Sequence, residues 1–176
     1  SAVRDGRVME LMQSFPAVPG ECHNLPSGTV HALGAGVLVA EVQTPSDTTY
    51  RVFDFNRIEP GTGKPRKLHV EQALECIDFE SDATQNYVPP GDDDAIIVRA
   101  PQFTLHRRRA RAGEKVSVIT GEPRVLIFLE GTGLIGGGRS PTEFSPGETV
   151  LVPATVNGTI DPKSDIRWLE VHLPQE

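Results

Sequence analysis

Pro146-Gly-Glu-Thr-Val-Leu-Val-Pro153 decides the fold, because an earlier stretch, Pro19-Gly-Glu-Cys-His-Asn-Leu-Pro26, aligns with it without a gap. Each copy reads as a turn, a short strand with an apolar end, and a proline that stops the strand, since proline cannot donate to a sheet ladder. A Gly-rich turn, Glu130-Gly-Thr-Gly133, precedes the second copy, as the hairpins of a small jelly roll require. Outward from the repeat, short β-branched or apolar runs lie at 37–42, 49–55, 116–119, 125–129, 149–152 and 166–173. They are punctuated by 17 Gly and 15 Pro. The expected fold class is mainly β: jelly-roll or β-sandwich modules, one incomplete and one complete, joined by a short helix.

Two helices interrupt this pattern. Val8, Leu11, Met12 and Phe15 recur at helical spacing, so 4–15 reads as an amphipathic helix that Pro16 ends. A second is expected over 67–77, where Val70, Ala73, Leu74 and Ile77 share a face after the Gly61-Thr-Gly-Lys-Pro65 turn. The domain reading is therefore 1–66 for the end of a first β module with a leading helix, 67–94 for helix and linker, and 95–176 for a second module. The positions of the second copy that align with His31 and Glu41 are Gly158 and Trp168, so the copies share shape without sharing chemistry. A site belongs to the first module.

With 176 residues and 38% apolar content, the chain can bury a core. No apolar run is long enough to span a bilayer. The net charge of −7 argues against a nucleic-acid partner, since phosphate-backbone binding needs a basic surface. Arg107, Arg108, Arg109 and Arg111 form the one basic cluster and read as a solvated strand face. Asp92-Asp93-Asp94, after Pro89-Pro90-Gly91, reads as a loop tip and not a cation site. Two distant cysteines, Cys22 and Cys76, form neither a metal-ligand pair nor a disulfide framework and read as small buried hydrophobes in a reducing cytoplasm. The opening Ser1-Ala-Val-Arg-Asp lacks both a Met and a secretory pattern, which suits a processed or partial chain.

Chemistry-bearing residues concentrate between Pro26 and Arg57. His31, between two turns, is either a metal ligand or a hydrogen-bonded structural residue at a strand end. Glu41, in the apolar run Val37-Leu-Val-Ala-Glu-Val42, either faces solvent or is paired near a metal, where its pKa could be tuned for proton transfer. Asp47 suits an Asx turn after Pro45-Ser46 or a site carboxylate. In Arg51-Val-Phe-Asp-Phe-Asn-Arg57, strand alternation puts Arg51, Phe53, Phe55 and Arg57 on one face. Two such arginines either grip a phosphate with forked hydrogen bonds or sit on an ordinary sheet surface. His23, His69, His106 and His172 read as structural or surface residues.

Together these residues carry a resemblance. Leu25-Pro-Ser-Gly-Thr-Val-His-Ala-Leu-Gly-Ala-Gly36, Glu41-Val-Gln43 and Ser46-Asp-Thr-Thr-Tyr-Arg-Val-Phe-Asp-Phe-Asn-Arg57 resemble the type I mannose-6-phosphate isomerases, in particular their shorter bacterial members. The resemblance continues more weakly to Leu173 and covers about the C-terminal half of a family member. It implies cupin-type modules, a single zinc, and interconversion of mannose 6-phosphate and fructose 6-phosphate through a metal-stabilised enediol. It implies His31 as the last metal ligand, Arg51, Glu41 and Asp47 as catalytic residues, and Arg51 with Arg57 at the substrate phosphate. The family's other ligands, in Gln-Val-His and Lys-Pro-Glu segments, are not in this sequence, and Glu71-Gln72 stands where relatives carry a lysine. The expected partners are therefore a sugar phosphate and either a preceding portion of the same protein or another copy, with no nucleic acid and no membrane. The competing reading is a non-catalytic sugar-phosphate-binding or interaction module that has lost its metal site.

Overall fold

Both copies of the repeat adopt the same turn. Gly20 and Gly147 share a φ of 88°, the left-handed conformation that the third position of a type II turn demands and that glycine reaches without a Cβ clash. The Glu21 N–H donates to the Val18 carbonyl at 3.1 Å and the Glu148 N–H to Ser145 at 3.2 Å. Each glutamate side chain reaches back to the turn's first amide, Val18 at 3.0 Å and Ser145 at 2.6 Å. The closing prolines also begin equivalent turns, Thr29 to Pro26 and Val156 to Pro153.

In the computed structural model the described residues are all but 1, 4, 6, 47, 56, 81–85, 92, 119–120, 138–139 and 174–176. They form two compact units, Ser1–Pro89 and Pro90–Glu176. No helix among them is long and apolar enough to cross a membrane.

The first unit contains β1 (Cys22–His23), α1 (Val70–Cys76) and β2 (Tyr87–Val88), with β1 and β2 paired antiparallel. The helix expected over 67–77 is α1. The helix expected over 4–15 is instead a single 3-10 turn, Val8–Leu11, with no side-chain cap. Of its apolar stripe only Val8 is buried, while Leu11 is 76% exposed, so packing does not offset the cost of nucleating a longer helix. The strands expected at 37–42 and 49–55 also do not form. A strand needs a ladder of hydrogen bonds to a neighbouring strand, and among the described residues no strand pairs with these runs; Leu38 is 100% exposed. Cys22 is half-buried and Cys76 exposed, so neither is the buried hydrophobe expected.

The second unit is a sandwich. Its strands are β3 (Ala95–Arg99), β4 (Thr104–Ala110), β5 (Val116–Val118), β6 (Arg124–Glu130), β7 (Gly133–Gly136), β8 (Thr142–Phe144), β9 (Thr149–Val152), β10 (Gly158–Pro162) and β11 (Ile166–His172). They make one sheet in the order β3-β4-β11-β6-β9 and another in the order β5-β10-β7-β8, with every pair antiparallel. The apolar runs read from sequence are β5, β6, β9 and β11. Those missed include β3, an apolar run passed over in the sequence reading, the arginine-rich β4, and the glycine-bearing β7 and β10. Strands β4, β7 and β10 lack the apolar alternation that marks a half-buried strand.

Leu126, Phe128, Ile160, Ile166 and Trp168 fill the core, and the Phe128 and Phe144 rings stack 3.7 Å apart. Large apolar side chains that meet across two sheets remove the most surface from water, which is the main driving force for this unit. The arginine run is not a uniformly solvated face: Arg107 is buried, Arg108 half-buried and Arg109 exposed. Asp93 pairs with Arg109 and Arg167, and Asp94 with Arg108. The acidic stretch therefore neutralises these arginines; Asp92 lies outside the described residues.

The inner face of the larger sheet turns polar at one end. Arg124 Nη1 donates to Glu170 at 2.8 Å and its Nη2 to Glu122 at 3.1 Å. His172 lies 3.0 Å from both carboxylates, and its ring is 4.4 Å from that of His106 at a tilt of 39°. Burial, His172 and Arg108, in that order of effect, lower the His106 pKa from 6.5. The fold therefore favours neutral His106. Its contribution is fully present above pH 6.5 and is lost as pH falls toward the lowered folded value. Unfolding followed by the fluorescence of Trp168, the single tryptophan, should show stability declining below pH 6.5, with a shallower decline in His106→Gln. An identical acid limb in the two proteins would contradict this assignment.

Candidate functional site

The segment from Arg51 to Arg57 is shaped by a turn and not by a strand. The Arg57 N–H donates to the Asp54 carbonyl at 2.9 Å, and Phe55 holds a φ of 52°. That left-handed residue ends the expected alternation, because a strand requires extended φ throughout. The Phe53 and Phe55 rings meet edge-on at 5.0 Å, and the Arg57 guanidinium lies over Phe55 at 5.2 Å. A cation over an aromatic face is attracted by the ring quadrupole, which restricts where Arg57 can point.

Asp54, which sequence reasoning did not single out, is buried at the centre of this segment. Arg66 grips it with both arms of the guanidinium: Nε donates to Oδ2 at 2.6 Å and Nη2 to Oδ1. The fork holds the Asp54 carboxyl below its ordinary value, with smaller contributions from the charges of Arg57 and Arg51. The same pairing raises Arg66. No spacing rule announces a contact across twelve residues; it becomes visible only when the intervening hairpin closes. That hairpin is pinned by the Ile58–Pro65 bridge and by the Glu59 N–H to Lys64 carbonyl bond of 2.8 Å.

His69 supplies a second tie. Its N–H donates to the Arg51 carbonyl at 2.7 Å, and its Nδ1 accepts the Arg51 N–H at 3.4 Å. The structural role expected of His69 is the one it plays, and it fixes the backbone on both sides of the half-buried Arg51.

His31 is exposed and lies outside any strand; its Nδ1 is 2.9 Å from the Thr29 carbonyl oxygen. A carbonyl oxygen can only accept, so Nδ1 carries the proton in this contact, and in the neutral ring Nε2 then holds the lone pair that a metal could take. His31 borders a small apolar recess with Val30, Met12, Val52, Phe53 and Phe55. The structure thus brings His31 beside the segment that carries the arginines. Glu41 is exposed and off any strand, and it makes no hydrogen bond or ion pair among the described residues. Asp47 lies outside the described residues.

A catalytic zinc is held by three protein ligands and keeps an open position. Among the described residues no group of three or more His, Cys, Asp or Glu is placed to hold a metal ion. The donors present therefore do not fit a complete zinc site, and His31 Nε2 stands as a single candidate ligand.

Asp54 gives the site a direct titration. Because its carboxyl is held low, its contribution to stability is present above its ordinary value of 3.8 and is lost as pH falls through the lowered value. Arg66→Ala should move the Asp54 carboxyl carbon titration, followed by NMR, upward toward 3.8. An unchanged midpoint would contradict the pairing.

Sequence comparison finds the mannose-6-phosphate isomerase of Streptococcus mutans 33% identical over 132 residues, which is 68% of this chain and 42% of that protein. The mannose-6-phosphate isomerase ManA of Bacillus subtilis is 30% identical over 156 residues, 86% of this chain and 49% of the relative. No family model matches the chain. Similar solved structures include a cupin-2 domain protein of Shewanella frigidimarina, 16% identical with a TM-score of 0.41, covering 46% of this chain and 78% of that one. A cupin superfamily protein of Desulfitobacterium hafniense is 17% identical with a TM-score of 0.42, covering 46% and 75%. The chain spans about half the length of the curated relatives it matches. By these sequence matches, the chain belongs to the mannose-6-phosphate isomerase family.

Proposed function

We propose that this chain contributes one wall of an aldose–ketose isomerase site that interconverts mannose 6-phosphate and fructose 6-phosphate in the cytoplasm. The sequence identity to enzymes of that name carries the reading, and the arginine-bearing segment beside His31 is the feature of this chain that suits the substrate. The chain corresponds to the C-terminal portion of such an enzyme. A preceding portion of the same protein, or another copy, supplies the opposite wall.

The reaction moves a proton between adjacent carbons. A base takes the C2 proton of the open-chain aldose while the C1 carbonyl oxygen is protonated, giving the enediol. Returning a proton to C1 while the O2 hydroxyl loses its own yields the ketose, with no net change in protons or electrons. Glu41 and Asp47 are the carboxylates of this chain suited to carry that proton. Arg51 and Arg57 bind the phosphate, where forked N–H donors match its oxygens. Arg51 also helps to stabilise the negative charge that develops on oxygen. His31 offers Nε2 to a zinc ion whose other ligands lie outside this chain. Such an ion would act as a Lewis acid toward the sugar oxygens.

The test is a coupled assay of fructose 6-phosphate formation, with metal analysis, on the natural full-length protein and its His31→Ala variant. The variant should lose bound zinc, and its activity should fall by more than the about 10–100-fold that losing an outer-shell partner costs. Full activity and full zinc in the variant would overturn the ligand assignment. Sugar-phosphate binding with no isomerase activity in the unmodified protein would favour the non-catalytic binding module.

A further inference from the structure

We propose that Asp54 and Arg66 are a positioning pair that sets Arg51 and Arg57 as a two-armed receptor for the phosphate group of the sugar. This rests on the reading of Arg51 and Arg57 as the phosphate-binding residues, and it adds the device that holds them.

The argument begins with charge. Three guanidiniums, those of Arg66, Arg57 and Arg51, act on the one carboxylate of Asp54. Arg66 occupies both oxygens of that carboxylate with its fork. Among the described residues, neither Arg51 nor Arg57 has a carboxylate within ion-pair distance. The segment therefore carries two surplus positive charges whose geometric donors are not used by Asp54. A dianionic phosphate monoester complements such a pair.

Geometry supplies the second step. Residues 51–57 are joined to 66–69 by two rungs across the 58–65 hairpin. One rung is the pair of Arg51–His69 bonds, one main-chain and one from the Arg51 N–H to the His69 ring. The other is the Asp54–Arg66 side-chain fork. Asp54 also provides the carbonyl that receives the Arg57 N–H and closes the turn leading to that residue. One buried carboxylate thus sits between the two arginines in sequence and is bonded to the far side of the hairpin. Removing the fork leaves the Arg57 side of the turn held only by its own backbone bond and by the ring of Phe55.

Positioning and bulk electrostatics predict opposite signs for one substitution. Asp54→Asn deletes a negative charge and releases Arg66, so charge alone predicts tighter anion binding. A positioning role predicts weaker binding, because the arginines lose their shared anchor. Equilibrium binding of mannose 6-phosphate, inorganic phosphate and unphosphorylated mannose should be measured on the full chain for the wild type, Arg51→Ala, Asp54→Asn and Arg66→Lys. We expect Arg51→Ala to abolish mannose 6-phosphate binding. We expect Asp54→Asn to weaken it about tenfold despite its extra positive charge, and Arg66→Lys, which keeps the charge but loses the fork, to fall between. Retained binding in Arg51→Ala would overturn the phosphate-receptor reading itself. Lost binding in Arg51→Ala with wild-type or tighter binding in Asp54→Asn would overturn the positioning role alone. Because Arg66→Lys retains the ion pair, a wild-type affinity there together with a loss in Asp54→Asn only through unfolding, seen as lost chemical-shift dispersion of residues 51–69, would also overturn it.

Discussion

Strand β11 is the constraint on which the second unit depends. It pairs with β4 on one side and β6 on the other over nearly its whole length, so it has no free edge and every inward residue is committed. Ile166 and Trp168 point into the core and are 1% exposed. Two positions further, at the same parity, Glu170 and His172 meet Arg124 and Glu122. Burying Glu170 is costly unless it is paired, and the Arg124 bond of 2.8 Å provides the pairing. One strand thereby sets both the apolar centre and the polar end of the sandwich.

The first unit is built on a different balance. Among its described residues the buried apolar side chains are Val8 and Ala73, while Leu11, Phe15, Leu33 and Leu38 lie in water. Order there comes from turns and from specific polar ties: the glycine turn at Gly20, the hairpin over 58–65, the Arg51–His69 bonds and the Asp54–Arg66 fork. Hydrogen bonds and ion pairs contribute modest net stability each, because they replace bonds to water. They do fix direction well. The backbone around Arg51 is thus held by directional bonds and not by a core.

The sandwich was legible where its strands alternate. Val125 to Leu129 and Ile166 to Leu173 announce themselves by apolar content, and the Pro-Gly-Glu repeat foretold two identical turns. Strand β4 was not legible, since Arg107, Arg108 and Arg109 place charge on both faces and the carboxylates that pair with Arg108 and Arg109 are distant in sequence. The opposite error occurred at 37–42, where an apolar, β-branched run finds no ladder. Propensity describes what a segment can do once it has a neighbour; it does not supply the neighbour. At the site, local motifs pointed to His31, Arg51 and Arg57. The buried Asp54 and its partner Arg66 escaped notice because their contact exists only across a closed hairpin.

The two units are held in different ways, the second by a packed core and the first by turns and polar ties. Amide hydrogen exchange on this chain tests that contrast most directly. The account predicts strong protection throughout β4, β6 and β11, and exchange close to that of an unstructured chain across residues 33–46, where no ladder forms. Protection of 33–46 equal to that of β11 would contradict it.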